Sequence, residues 1–324
     1  MAMKRPAAAE PADACEALAF FDPHFHIWDV SESSWSGHDG KVLFKPGDKE
    51  AYLRADYEAS FSKLPDGLRH AGGVYLEAVS VCHVGQGGAG YSAHCLDEAR
   101  FARYSLASRE VSYVIVPTCA LEQPDAGEVL EKLASCPMTR GIRQILNHQP
   151  SWPRNDALGD LLDNEAWREG FRLLQARGLS FDLQLNPHQF AKAADLQANH
   201  AGTTVVINHL GSPTLADLEK NGEVYWSGME AFAKLPNTFM KISFLCYTDK
   251  DWDKKQVIVD AVHRIIALFG AGRSMFASND PVDADDGWPP ERLLSAFLRL
   301  AERYSRSERE QLFSGSARRA YRCS

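Results

Sequence analysis

Eight short apolar segments, rich in β-branched and aromatic residues, recur along the chain. They are Phe20–Trp28, Gly73–Val79, Val111–Thr118, Gly141–Leu146, Phe181–Leu185, Thr204–His209, Phe239–Phe244 and Arg273–Ser278. Helical patterns lie between most of them, over Leu96–Ala107, Gly127–Leu133, Leu158–Arg177, Phe190–Ala198, Gly228–Leu235, Val257–Phe269 and Pro290–Tyr304. Parallel strands need crossovers of this kind, so the alternation predicts a parallel sheet covered by helices. Eight such units in a chain of 324 residues predict an α/β fold, the (β/α)8 TIM barrel. The alternative, a doubly wound open sheet, announces itself by a glycine-rich phosphate loop after its first strand. None follows Phe20–Trp28. The stretch Gly85–Gly90 follows the second strand instead, lacks a Lys-Ser/Thr ending, and reads as a flexible loop on which no helix opens.

Residues 1–19 are Ala-rich, mix Lys4 and Arg5 with Glu10, Asp13 and Glu16, and lack the apolar stretch of a signal peptide. They are expected to form a disordered leader, with one barrel domain over 20–324. Long barrel loops often cover the active site. The longest connection here, Val30–Gly72, carries Trp35, Phe44 and Pro46 and a helical pattern near Glu50–Ser62. The tail Ser307–Arg322 reads as a final helix. A formal net charge of −8 without a Lys/Arg run excludes nucleic acid as an expected partner. No apolar run reaches membrane-spanning length, so no membrane partner is expected either. Seven cysteines without Cys-x-x-Cys spacing suit free thiols in a reducing, cytoplasmic setting. A small-molecule substrate is expected, and self-association stays open.

Barrel chemistry sits at the C-terminal ends of the strands. Almost every predicted strand places a polar group there. His24 and His26 alternate on strand one, so their imidazoles share a face. Glu77 ends strand two. Arg143 stands on strand four, and Asp182, Gln184 and Asn186 mark strand five. Strand six ends in Asn208-His209, strand seven carries Lys241 and Ser243, and strand eight ends in Ser278-Asn279-Asp280-Pro281. Buried polar groups need partners, so this density of them points to a site. Arg143 has the fork geometry to bind a substrate carboxylate or carbonyl, or to pair with Glu77. Lys241 needs a carboxylate partner, and Glu77 is the candidate. Asp283, Asp285 and Asp286 read as a solvated acidic run. Trp28, Trp35 and Trp288 read as packing before recognition.

The pieces Asp-Pro-His-Phe-His-Ile-Trp-Asp (22–29), Gly-Ile-Arg-Gln (141–144), Asn-His-Leu-Gly-Ser-Pro (208–213), Met-Lys-Ile-Ser (240–243), Phe-Ala-Ser-Asn-Asp-Pro-Val (276–282) and Ser-Gly-Ser-Ala-Arg-Arg-Ala-Tyr (314–321) stand in one order along the chain. In that order they resemble the amidohydrolase superfamily, in particular its amidohydrolase-related branch of lactonase-like barrels. The resemblance implies a hydrolase that opens a lactone or similar C–O ester of a small organic acid with activated water. It places His24, His26 and His209 at the reaction centre as the metal-ligand set. Asp280, His209 and Asn279 are the catalytic candidates, and Arg143, Lys241 and Glu77 the substrate-binding ones. The family pattern has Ser-Asp at the end of strand eight. Here Asn279 takes the carboxylate position and Asp280 follows one residue later, which would reverse its face unless the strand end swings. The strand-four lysine of dinuclear relatives is Arg143. The implied cofactor is therefore one divalent ion, zinc for a three-histidine set, with a metal-free site as the alternative. A metal-dependent decarboxylase of an aromatic or enoic acid is the second enzymatic reading, and a catalytically silent small-molecule-binding barrel the third.

Overall fold

The computed structural model describes residues 17–31, 49–78, 88–149, 159–220 and 222–323. The eight expected strands are all present. They are β1 (Leu18–Phe25), β2 (Leu68–Leu76), β3 (Ser112–Val116), β4 (Gly141–Ile145), β5 (Ser180–Gln184), β6 (Val205–Ile207), β7 (Thr238–Ile242) and β8 (Ser274–Phe276). Neighbours run parallel in sequential order, in one sheet of three strands and one of five. Isolated bridges close the ring at two seams. Between β3 and β4, Arg143 N–H donates to Pro117 O at 2.9 Å. Between the ends of β8 and β1, Asn279 N–H donates to His24 O at 2.8 Å, and His26 N–H to Asp280 O at 2.9 Å. The second seam is thus built from the backbone of candidate site residues.

The barrel interior is filled by alternate residues of these strands: Phe21, Val74, Leu76, Val114, Val116, Val206, Phe239 and Met275. Ala317, Ala320 and Tyr321 of the C-terminal segment complete that cluster. The outer core packs the helices on the opposite faces. Trp167, Phe171 and Phe181 illustrate it, with ring centroids 5.3–5.6 Å apart. Asn164 caps the helix Glu165–Ala176, accepting from Trp167 N–H at 3.2 Å.

Some expected boundaries move. β1 begins at Leu18, two residues inside the expected leader, whose residues 1–16 lie outside the described part. A helix runs over Gly88–Leu106, so a helix does open on the glycine stretch, whose residues 85–87 lie outside the described part. The tail is broken into Arg306–Glu310, a wider turn over Gln311–Gly315, and Ser316–Ala320. Trp28–Asp29 pairs antiparallel with Ala51–Tyr52, a small ribbon that continues into the helix Arg54–Ser60. Trp35, Phe44 and Pro46 lie outside the described residues. Cys95, Cys119 and Cys246 are buried free thiols. No helix among the described residues is long and apolar enough to cross a membrane.

Candidate active site

At the C-terminal mouth of the barrel lies a cavity of about 140 Å³, walled in part by His26, Glu77, Arg143, Gln184, His209, Phe244 and Asn279. Strand alternation explains part of this membership, while Glu77, His209 and Phe244 reach the wall against the parity of Leu76, Val206 and Phe239. Asp182 and Gln184, Arg143 and Ile145, and Met275 and Asn279 are even-numbered steps apart, so each pair shares the inward face. His24 and His26 break the parity set by Phe21. The ladder between β1 and β2 slips between Phe20 and Asp22 and again between Asp22 and Phe25. Such an irregularity re-aims the side chains beyond it, and it brings both imidazoles inward.

Three non-glycine residues with left-handed backbone also wall the cavity: His209 (φ 54°), Phe244 (φ 54°) and Asn279 (φ 52°). They follow β6, β7 and β8 in turn. Non-glycine residues adopt that region at a cost of about 1–3 kcal/mol, and such positions concentrate at functional sites.

The polar side chains are held from behind. Arg143 Nη1 stands 3.3 Å from Glu77 Oε1 and 3.2 Å from Glu77 O, and Nη2 donates to Gln184 Oε1. Asn279 Nδ2 donates to Asp283 Oδ1 at 2.7 Å, and Phe244 N–H donates to Asp283 Oδ2 at 3.2 Å. Asp283 is therefore buried, not the solvated acid expected of it, because it ties together two cavity-wall residues. His209 Nδ1 lies 3.0 Å from Ser243 Oγ. His26 Nδ1 donates to Leu76 O at 3.0 Å, and His24 Nε2 and His26 Nε2 are 3.2 Å apart. The ring of His24 stands 4.5 Å from that of His209, one layer below the cavity wall. Burial holds all three imidazoles neutral. It pushes His26 down to about 3, with Arg143 adding to the effect. His24 and His209 also lie well below their ordinary value, through burial first and then through the charges of Lys241 and Arg143.

Two expectations need correction. Asp280 does not face the cavity. Its Oδ2 accepts from Tyr52 OH at 2.5 Å and from Ser60 Oγ at 3.2 Å, on the outer side of the strand. The one-residue shift from Asn279 reverses its face, and the strand end does not swing it back. Lys241 does not reach the substrate cavity and does not pair with Glu77. It is fully buried below His24 and bonds Asp182 Oδ1 at 2.5 Å. Asp182 also accepts from Asn208 Nδ2 at 2.9 Å and from Tyr321 OH at 2.8 Å. Sequence reading noted Asp182 and Gln184 as polar strand residues but assigned neither a role, and it passed over Phe244. Asp182 and Gln184 share one face of β5, a signal present in the sequence, whereas Phe244 has the opposite parity to Lys241 and stands at a left-handed backbone position that alternation does not predict. Trp28 stacks on Tyr52 and Trp288 packs on Trp252, so both serve packing.

Burial raises the Asp280 carboxyl to about 7, against the opposing hydrogen bond from Tyr52. The unfolded chain ionises near 4 and the folded chain near 7, so stability falls across that interval as pH rises. Asp280→Asn removes the loss. Its melting temperature relative to wild type should climb between pH 4 and pH 7 in a thermal-melt series, and an offset constant with pH would mean the carboxyl is not held in this way.

The spacing of the two Nε2 atoms is close to the roughly 3.3 Å expected for two nitrogens on one tetrahedral zinc. The rest of the donor set does not fit the implied ion. Among the described residues, no group of three or more His, Cys, Asp or Glu is placed to hold one. The carboxylate position is the amide Asn279, and His24 Nδ1 faces a donor, Lys241 Nζ, at 3.5 Å.

Residues 21–323 match the amidohydrolase family model. The chain belongs to the amidohydrolase family. As a member it is an enzyme, and its hydrolytic chemistry is of the amidohydrolase type. An uncharacterized protein, y4mH, of Sinorhizobium fredii is 29% identical over 318 residues, covering 94% of this chain and 99% of that protein. The L-fucono-1,5-lactonase of Burkholderia multivorans is 26% identical over 314 residues, covering 93% and 95%. A solved amidohydrolase from Burkholderia multivorans with bound zinc shares the fold at a TM-score of 0.71 and 20% identity, covering 95% of this chain and 100% of that one.

Proposed function

We propose that this amidohydrolase opens a small, uncharged lactone of a sugar-type acid by direct addition of water, without a metal on its own histidines. The observation that carries the reading is the charge balance of the cavity. Arg143 is paired with Glu77 and the histidines are neutral, so the cavity offers strong donors without net charge. That suits a neutral ring with a polarisable carbonyl better than a free aromatic acid. Similarity to a lactonase supports the same class.

In this mechanism Arg143 donates to the carbonyl oxygen as negative charge develops there. Asn279, fixed by Asp283, orients the attacking water. His209 donates Nδ1–H to Ser243 and takes the water proton on Nε2. A C–O bond forms from water to the carbonyl carbon, the ring C–O bond breaks, and His209 returns its proton to the departing oxygen. The products are one carboxyl and one hydroxyl group on one molecule.

Arg143→Lys keeps the charge and loses the fork, so kcat/KM should fall by about 1–3 kcal/mol in steady-state kinetics. Unchanged kinetics would make Arg143 structural. Asn279→Ala should be the damaging change at strand eight, while Asp280→Asn stays within a few-fold of wild type. The reverse order would restore Asp280 as base.

The reading itself is tested by offering the purified enzyme a panel of aldonolactones and a panel of aromatic acids, following acid release and carbon dioxide. Acid release from a lactone is expected. Carbon dioxide from an aromatic acid, with no lactone turned over, would replace the reading with decarboxylation.

A further inference from the structure

We infer that Lys241 sets the tautomer of His24 and thereby keeps a metal ion off the strand-one histidine pair. The assignment starts from the two partners that admit no choice: Leu76 O only accepts and the Lys241 ammonium only donates. Leu76 O can only accept, so His26 Nδ1 carries the proton of that neutral ring and His26 Nε2 is a bare lone pair. The 3.2 Å contact then matches a proton on His24 Nε2. His24 Nδ1 is left as an acceptor, and it faces the ammonium of Lys241 at 3.5 Å. Every donor meets an acceptor along Lys241, His24, His26 and Leu76, and the side chain of Asn279 also bonds His26.

Metal binding by both Nε2 atoms requires the opposite arrangement at His24. A ligating imidazole gives its lone pair to the ion and donates its other N–H to a carboxylate or carbonyl. Here that N–H would point at a cation with no lone pair to offer. Lys241 cannot readily turn away, because it is fully buried against Asp182, which is itself held by Tyr321 and Asn208. Lys241 is thus a positioning residue, and this inference deepens the metal-free reading proposed above.

The probe is zinc ion alone, titrated into metal-stripped protein by calorimetry. Glutamine in place of Lys241 offers an oxygen to His24 Nδ1–H. Lys241→Gln should bind zinc at least about tenfold more tightly than wild type, and His24→Ala in that background should abolish the gain. Asp182→Asn with Lys241→Gln removes both buried charges and serves if the single variant folds poorly. Nitrogen-15 spectra of the histidines give a second readout in wild type alone: the His24 proton is expected on Nε2. Equal zinc affinity in wild type and the glutamine variants, or a His24 proton on Nδ1, would overturn the inference. Neither measurement uses a substrate, so a failure of the lactone reading would leave both results standing.

Discussion

Replacing His209 by glutamine should lower kcat by about a hundredfold to ten-thousandfold, the range for losing a general base, with the melting temperature close to wild type. His209 is the one cavity-wall imidazole whose Nδ1 is anchored on a hydroxyl, Ser243 at 3.0 Å, while burial keeps the ring neutral. Its low proton affinity also sets the sign of the pH dependence. Protonation should switch the enzyme off only well below the ordinary histidine range, so the rate should hold steady as pH falls through 6.5. A histidine-like acidic limb at 6.5, or a glutamine variant with normal turnover, would remove His209 from the base role.

The second large effect concerns the buried network below the site. Asp182→Leu leaves the Lys241 ammonium with no carboxylate partner and deprives Tyr321 and Asn208 of their acceptor. Breaking a buried pair from one side costs about 3–5 kcal/mol, a large share of the roughly 5–15 kcal/mol that holds a folded protein together. Denaturant unfolding should show that loss. Asp182→Leu combined with Lys241→Met should recover most of it, since apolar side chains can replace a buried pair at little net cost. A single-variant loss below about 1 kcal/mol would mean that water reaches Lys241.

The barrel was legible because each of its strands is a short apolar run bounded by turn residues, and parallel strands leave few other architectures. The candidate cluster was legible too, since the strand-end rule selects His26, Glu77, Arg143, His209 and Asn279 together, although alternation alone turns His26, Glu77 and His209 away from the interior face set by Phe21, Leu76 and Val206. What escaped were the partners. Lys241 meets Asp182 across the barrel, and no local pattern states which inward carboxylate lies at which height. Asp280 was given the base role on family spacing, although Met275 inward already implied Asn279 inward and Asp280 outward. Asp283 looked solvated because its neighbours Asp285 and Asp286 are charged, yet the left-handed turn at Asn279 folds it back against the wall. The slip in β1 at Asp22–Phe25 is likewise a tertiary feature, and without it His24 and His26 would point away from the centre.

The most direct measurement is lactone opening in oxygen-18 water, comparing wild type with His209→Gln at equal protein concentration. Water addition to the carbonyl predicts one labelled oxygen in the product carboxylate, formed by wild type at least about a hundredfold faster than by the variant. Label in the new hydroxyl group, or equal rates in the two proteins, would contradict the account.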